Sequence, residues 1–137
     1  MSFDRRPLKT SHVGNVALFG CWAPNGSSAT AAANIHANWI ASVAHTDTGV
    51  YTVTLKTKFW NMNLVHVSAQ LRMGTWADSV AQVGAVDMSA GTIVVNTCTE
   101  NAGALTAADI AADSSNWVDM ILVCQYGNVI DGSNVQS

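Results

Sequence analysis

Between His45 and Asn61 the chain reads HTDTGVYTVTLKTKFWN, and its side chains alternate by twos. Tyr51, Val53, Leu55, Thr57 and Phe59 fall on one face, and Thr52, Thr54, Lys56 and Lys58 on the other. Successive strand residues point to opposite sides of a sheet, so this pattern in β-branched and aromatic residues predicts a half-buried strand. The preceding TDTG carries the Asp and Gly chemistry of a turn. After the break at NMN the pattern resumes in LVHVSAQLRM, with Val65, Val67, Ala69, Leu71 and Met73 inward. The two stretches read as an antiparallel hairpin.

The rest of the chain adds shorter elements. HVGNVALFGCW predicts an early strand with Val16, Leu18 and Gly20 inward. NIHANWIASVA alternates through Ile35, Ala37, Trp39, Ala41 and Val43, and pairs through the TDTG turn with residues 50–59. The Ala-rich SSATAAAN ahead of it is also compatible with a short helix. QVGAVDM and GTIVVNTC flank the turn SAG as a second hairpin, and NWVDMILVCQY, apolar on both faces, predicts a central strand. LTAADIAAD offers a capping Thr and about two turns of helix. The expectation is an all-β fold: an antiparallel β-sandwich or jelly roll of about seven to eight strands, with at most one short helix near residues 106–112. Residues 1–12 form a basic N-terminal arm, 13–127 the sandwich domain, and 128–137 a polar C-terminal tail.

Composition turns this fold into a functional expectation. The 137 residues are 49% hydrophobic and only 11% charged, against about 25% charged in ordinary soluble domains. A lone globule needs surface charge to stay in solution, so the pattern implies surface hidden against neighbouring copies. A monomer solvated by Ser, Thr, Asn and Gly is the alternative. Charge is also uneven: residues 1–12 carry Arg5, Arg6 and Lys9 against Asp4, while the remainder is acidic. A basic arm on an acidic body suits docking on an acidic neighbour. Three basic residues are too few to argue for nucleic acid, and no apolar run reaches the roughly 20 residues that cross a bilayer. The N-terminus has no secretory h-region. Cys21, Cys98 and Cys124 are an odd, widely spaced set, which fits buried thiols and folding in a cytosol better than a disulfide framework.

Catalytic constellations are hard to assemble from this chain. Nucleotide-binding glycine motifs and the GxSxG elbow are absent. His12, His36, His45 and His66 are scattered and the cysteines lack CxxC pairing, so no metal, cofactor or catalytic set is expected. Asp109 and Asp113 suit turn and cap chemistry. Asp119 interrupts an apolar strand and needs a hydrogen-bond partner, for which Arg72 or backbone amides are available. Of five tryptophans, Trp39 and Trp117 read as core. Trp22, Trp60 and Trp76 lie near strand ends or turns, at a subunit boundary or a ligand surface.

The segments TGVYTVTL (48–55), AQVGAVD (81–87), GTIVVNT (91–97) and ALTAADIAADSSNWVDMILV (104–123) resemble small structural proteins of tailed bacteriophage particles. GVYTVTL is also similar to the G-x-Y strand of trimeric jelly rolls such as the C1q and tumour-necrosis-factor group. The resemblance covers about half of the chain and lacks the collagen-like stalk. It implies a jelly-roll-like, trimeric virion subunit, assembled in the host cytoplasm and contacting a major capsid protein or another virion protein. Within a virion, a short chain without a shaft suits a capsid decoration (cement) protein of the phage head, with Arg5, Arg6, Lys9, Trp22, Trp60 and Trp76 as interface candidates. The alternative is a head or tail fibre knob that binds a receptor or carbohydrate. A third reading, a small hydrolase or isomerase, requires an acid and a His converging in a pocket.

Overall fold

Residues 14–75 and 77–125 are described by a computed structural model, in which the period-two stretches form nine strands in two antiparallel sheets. In chain order these are β1 (Asn15–Trp22), β2 (Ile35–His36), β3 (Ile40–Asp47), β4 (Val50–Leu55), β5 (Asn63–Arg72), β6 (Ser79–Asp87), β7 (Thr92–Asn101), β8 (Ala104–Ala107) and β9 (Trp117–Gln125). The first sheet runs β2–β1–β9–β5 and the second β3–β4–β7–β6, with β8 also pairing with β7. The all-β antiparallel sandwich predicted from the alternation is the fold observed. The strand count exceeds the expected seven to eight because residues 35–43 divide between the two-residue β2 and the start of β3, and because β8 forms ahead of the expected helix.

Alternation decides what each sheet buries. On β9, Val118, Met120, Leu122 and Cys124 point inward, registered against Trp22, Gly20, Leu18 and Val16 of β1. From the second sheet Val43, Tyr51, Val53, Leu55, Ile93 and Val95 meet them in one continuous core. Fully burying each such side chain contributes about 1.5–3 kcal/mol. Two tryptophans stitch the layers and place their polar atoms while doing so. Trp22 donates its indole N–H to Met120 Sδ at 3.2 Å, and Trp39 donates to the Phe19 carbonyl at 3.1 Å.

The predicted hairpins β3–β4 and β6–β7 form, and β9 lies centrally between β1 and β5, as its two apolar faces require. The hairpin expected between residues 50–59 and 64–73 does not form. Instead β4 pairs with β3 and β7, while β5 crosses to the other sheet and pairs with β9. The chain between them turns away in a single 3-10 turn, Thr57–Phe59, followed by Asn61 at φ 60°. Alternation also breaks at bulges. A register shift between Leu64 and His66 leaves Val65 exposed, and one between Ile40 and Ser42 buries Ile40 while Ala41 faces out.

The helix expected near 106–112 is replaced by the end of β8 and an irregular segment. Its backbone is claimed by tertiary partners. Ala108 N–H bonds the Thr97 carbonyl, the Thr97 hydroxyl bonds the Ala108 carbonyl, Ile110 N–H bonds the Tyr51 hydroxyl, and the Ile110 carbonyl accepts Gly26 N–H. Those bonds satisfy groups a helix would otherwise pair internally. Likewise SSATAAAN contributes only the 3-10 turn Ala32–Asn34.

Gly91 closes the β6–β7 turn at φ 68°, a left-handed conformation that glycine adopts without steric cost. A Cβ there would also overlap the Trp60 indole, which lies over the turn and donates to the Leu55 carbonyl at 2.9 Å. Gly91→Ala is expected to cost about 2–4 kcal/mol of stability from backbone strain plus overpacking. Urea unfolding checks this, and an unchanged midpoint contradicts it.

Candidate functional site

The two outer faces of the sandwich differ. On the second sheet the outward residues include Ser42, Thr52, Thr54, Gln82, Thr92 and Asn96, interspersed with the apolar Ala44, Val50, Val80 and Val94. The outer face of the first sheet carries Ala17 and Phe19 on β1 against Val123 and Ile121 on β9. Phe19 is 67% exposed and Ile121 37%. Of the six large hydrophobics exposed among the described residues, Phe19 and Ile121 lie together on this face, Val65 sits at the bulge of β5 and Leu64 registers with the inward Cys124, while β5 presents His66, Ser68, Gln70 and Arg72 outward. A contiguous exposed apolar patch on one face marks a contact surface more often than scattered apolar residues do.

Toward the start of β9 the same face becomes polar. Arg72 of β5 grips Asp119 through Nε and Nη2 at 3.0 and 3.1 Å, the partner proposed for Asp119 from sequence. Both side chains are about half exposed, so the pair sits on the outer surface and not in the core. Its stabilising contribution is correspondingly small. The Arg72 guanidinium also lies 5.9 Å from the Trp117 ring centre, and His36 lies 5.1 Å from it on the other strand. Burial pushes the neighbouring Cys21 thiol up, and Asp119 adds to that shift while Arg72 opposes it.

Trp117, read as core from the sequence, therefore stands half-buried on the outer face. Trp22 shows the reverse. Expected at a boundary, it is fully buried, because at the end of β1 its ring points between the sheets and packs 5.3 Å from Tyr51. It is unable to contact a partner. Trp60 is half-buried against the core beside Gly91. Arg5, Arg6, Lys9 and Trp76 lie outside the described residues. The first and last described strands pair at Asn15 and Gln125.

Beside Trp117 a cleft of about 410 Å³ opens between residues 23–25 and 112–117, lined also by Asn34. The Trp117 indole donates to the Ser114 carbonyl at 3.0 Å, which sets the angle of the ring.

An acid–histidine pair that sequence spacing gives no sign of lies elsewhere. Asp109 Oδ1 meets His45 Nε2 at 2.8 Å and accepts the Gly49 N–H at 2.7 Å. The Gly49 N–H holds the Asp109 carboxyl below the usual carboxylate range; burial opposes this and the His45 bond adds to it. His45 packs edge-on against Tyr51, whose hydroxyl is bonded to the Gly26 carbonyl and the Ile110 N–H. Neither member lines the cleft. The arrangement staples the 108–113 segment onto the β3–β4 turn. Gly49 has φ 68° there, and its carbonyl accepts the Thr97 N–H.

His36 and His66 sit on opposite edge strands of the first sheet and do not meet. No group of three His, Cys, Asp or Glu residues converges among the described residues. The described cysteines are free thiols; Cys98 and Cys124 are buried, and burial pushes the Cys124 thiol up. No described helix is long and apolar enough to cross a membrane.

Comparison with protein-family models, with curated proteins and with solved structures finds no match.

Asp109→Ala is expected to cost about 1–3 kcal/mol, since it strands two donors. A carboxyl with a lowered folded-state pKa contributes stability that is complete above its unfolded value of about 4, and that is lost as pH falls through the folded value. The acid-side decline should therefore be shallower in Asp109→Ala than in the wild type. Asp87 and Asp113, held low by their Ser89 and Ser115 partners, supply the remaining slope. Urea midpoints at about pH 3 and pH 6 measure this, and parallel declines in both proteins contradict it.

Proposed function

We propose that this chain is a non-enzymatic assembly subunit of a virion: a capsid decoration protein that cements a phage head through contacts with its own copies and with the shell. The carrying observation is the apolar outer face of the first sheet, with Phe19 at 67% exposure beside Ile121. In a chain with only 11% charged residues, that face has little charge around it to keep it solvated.

A standard interface buries about 800 Å² per partner, and the contact centres on the β1–β9 surface around Phe19 and Ile121. A trimer is the favoured state, on the resemblance of the GVYTVTL strand to trimeric jelly rolls. The resemblance of four segments to phage structural proteins supports placing such an oligomer on a virion. The basic residues Arg5, Arg6 and Lys9 precede β1 in the sequence and supply positive charge for docking on an acidic neighbour. Binding across shell subunits stabilises the assembled state by mass action.

Sedimentation velocity tests the assembly. The wild type is expected to sediment as a multi-copy species, and Phe19→Ser/Ile121→Ser as a single copy with an unchanged β-sheet circular dichroism spectrum. A wild type that stays a single copy at all concentrations rejects the proposal. For shell attachment, deleting residues 1–12 is expected to abolish co-sedimentation with empty shells; retained binding rejects the arm.

A further inference from the structure

The cleft beside Trp117 has a wall chemistry that the assembly reading leaves unused. Its volume of about 410 Å³ lies within the range of small-molecule sites, about 300–1,000 Å³. One wall is the flat Trp117 ring. The indole N–H is already committed to the Ser114 carbonyl, and Arg72 and His36 pack near the ring. The ring is thus oriented before any ligand arrives, which lowers the entropy cost of binding.

Besides the Ser114 hydroxyl, three polar side chains that line the same cleft have hydrogen-bonding capacity to spare. Asn25 spends its Nδ2 on the Ala29 carbonyl, which leaves Oδ1 as an acceptor. Asp113 receives both the Ser115 N–H and the Ser115 hydroxyl on Oδ1, at 2.8 and 2.9 Å, which leaves Oδ2. The exposed Asn34 amide makes no side-chain hydrogen bond among the described residues, so it offers a donor and an acceptor. A ligand suited to this set has one apolar face to lie on an indole and a rim of groups that both donate and accept. Ring hydroxyls of a sugar do this. The Asp113 carboxylate disfavours an anionic ligand by like charge. A single carboxylate with two amides is a poor set for a divalent cation, which gathers several oxygen ligands, usually more than one of them charged.

We propose that this cleft binds a neutral pyranose, its apolar face stacked on Trp117 and its hydroxyls held by Asn34, Asn25 and Asp113. The site is independent of the assembly reading: Trp117 lies at the far end of β9 from Gln125, and Ile121 of the apolar face is four residues away. A single ring bound in an open cleft has a dissociation constant on the order of 1 mM.

The test is an amide and indole N–H correlation NMR titration of the full chain. The ligands are the methyl glycosides of glucose, mannose, galactose and N-acetylglucosamine, each to about 50 mM. At least one is expected to give saturable shifts at the Trp117 indole and at the Asn34 and Asn25 side-chain amides. Asn34→Ala, which removes an exposed amide and leaves the fold intact, should weaken that binding at least about tenfold, as should Trp117→Ala. The proposal is overturned if none of the four glycosides produces a saturable shift, if the shifts map to another surface, or if Asn34→Ala binds as the wild type does.

Discussion

The fold depends on the burial of β9 between two neighbours that come from far away in the chain. Every inward side chain of this strand is closed over by β1 on one side and β5 on the other, so its backbone has no free edge. Trp22 and Met120, joined by the indole–sulfur contact, are 98 residues apart. Such pairing must overcome the entropy of closing a long loop before it gains any burial. Once it is in place, the second sheet has an apolar surface to pack on. The irregular 108–116 segment leading into β9 is then fixed by Thr97, Tyr51 and the Asp109–His45 staple.

The same strand links fold to function. Its inward residues, Val118, Met120, Leu122 and Cys124, complete a core. Its outward residues run from Trp117 at the cleft, through the Arg72–Asp119 pair, to Ile121 and Val123 beside Phe19 and Ala17. One face of one sheet thus passes from a polar, aromatic region to an apolar one, while the other sheet intersperses hydroxyls and amides with valines. Among the described residues Asp109 and His45 meet around the Gly49 amide, and they hold the β3–β4 turn together.

Much of the fold is legible in the chain because alternation is a local property. Tyr51, Val53 and Leu55 are buried as their spacing says, and SAG and TDTG make the turns their residues favour. Partner choice is not local. Residues 50–59 and 64–73 read equally well as a hairpin or as strands of separate sheets, and only the burial gained by β4 against β7 and β5 against β9 decides. The alanine-rich 106–112 carries helical propensity, which tertiary hydrogen bonds to Ala108 and Ile110 override. The tryptophans mislead for a related reason. A residue near a strand end can face either way, and the register of β1 on β9 turns Trp22 inward and Trp117 outward. The His45–Asp109 contact spans 64 residues and leaves no spacing signal in the sequence.

The central claim is that the outer face of β1 and β9 is covered by another copy of the chain in the folded state. Stability of a protein held by such a contact depends on protomer concentration, because association draws the unfolding equilibrium toward the assembled form. The direct measurement is the thermal midpoint of the wild type across a roughly hundredfold range of concentration. The account predicts a midpoint that climbs steadily as the protein is concentrated. A midpoint independent of concentration, with reversible unfolding of a single copy, would contradict it.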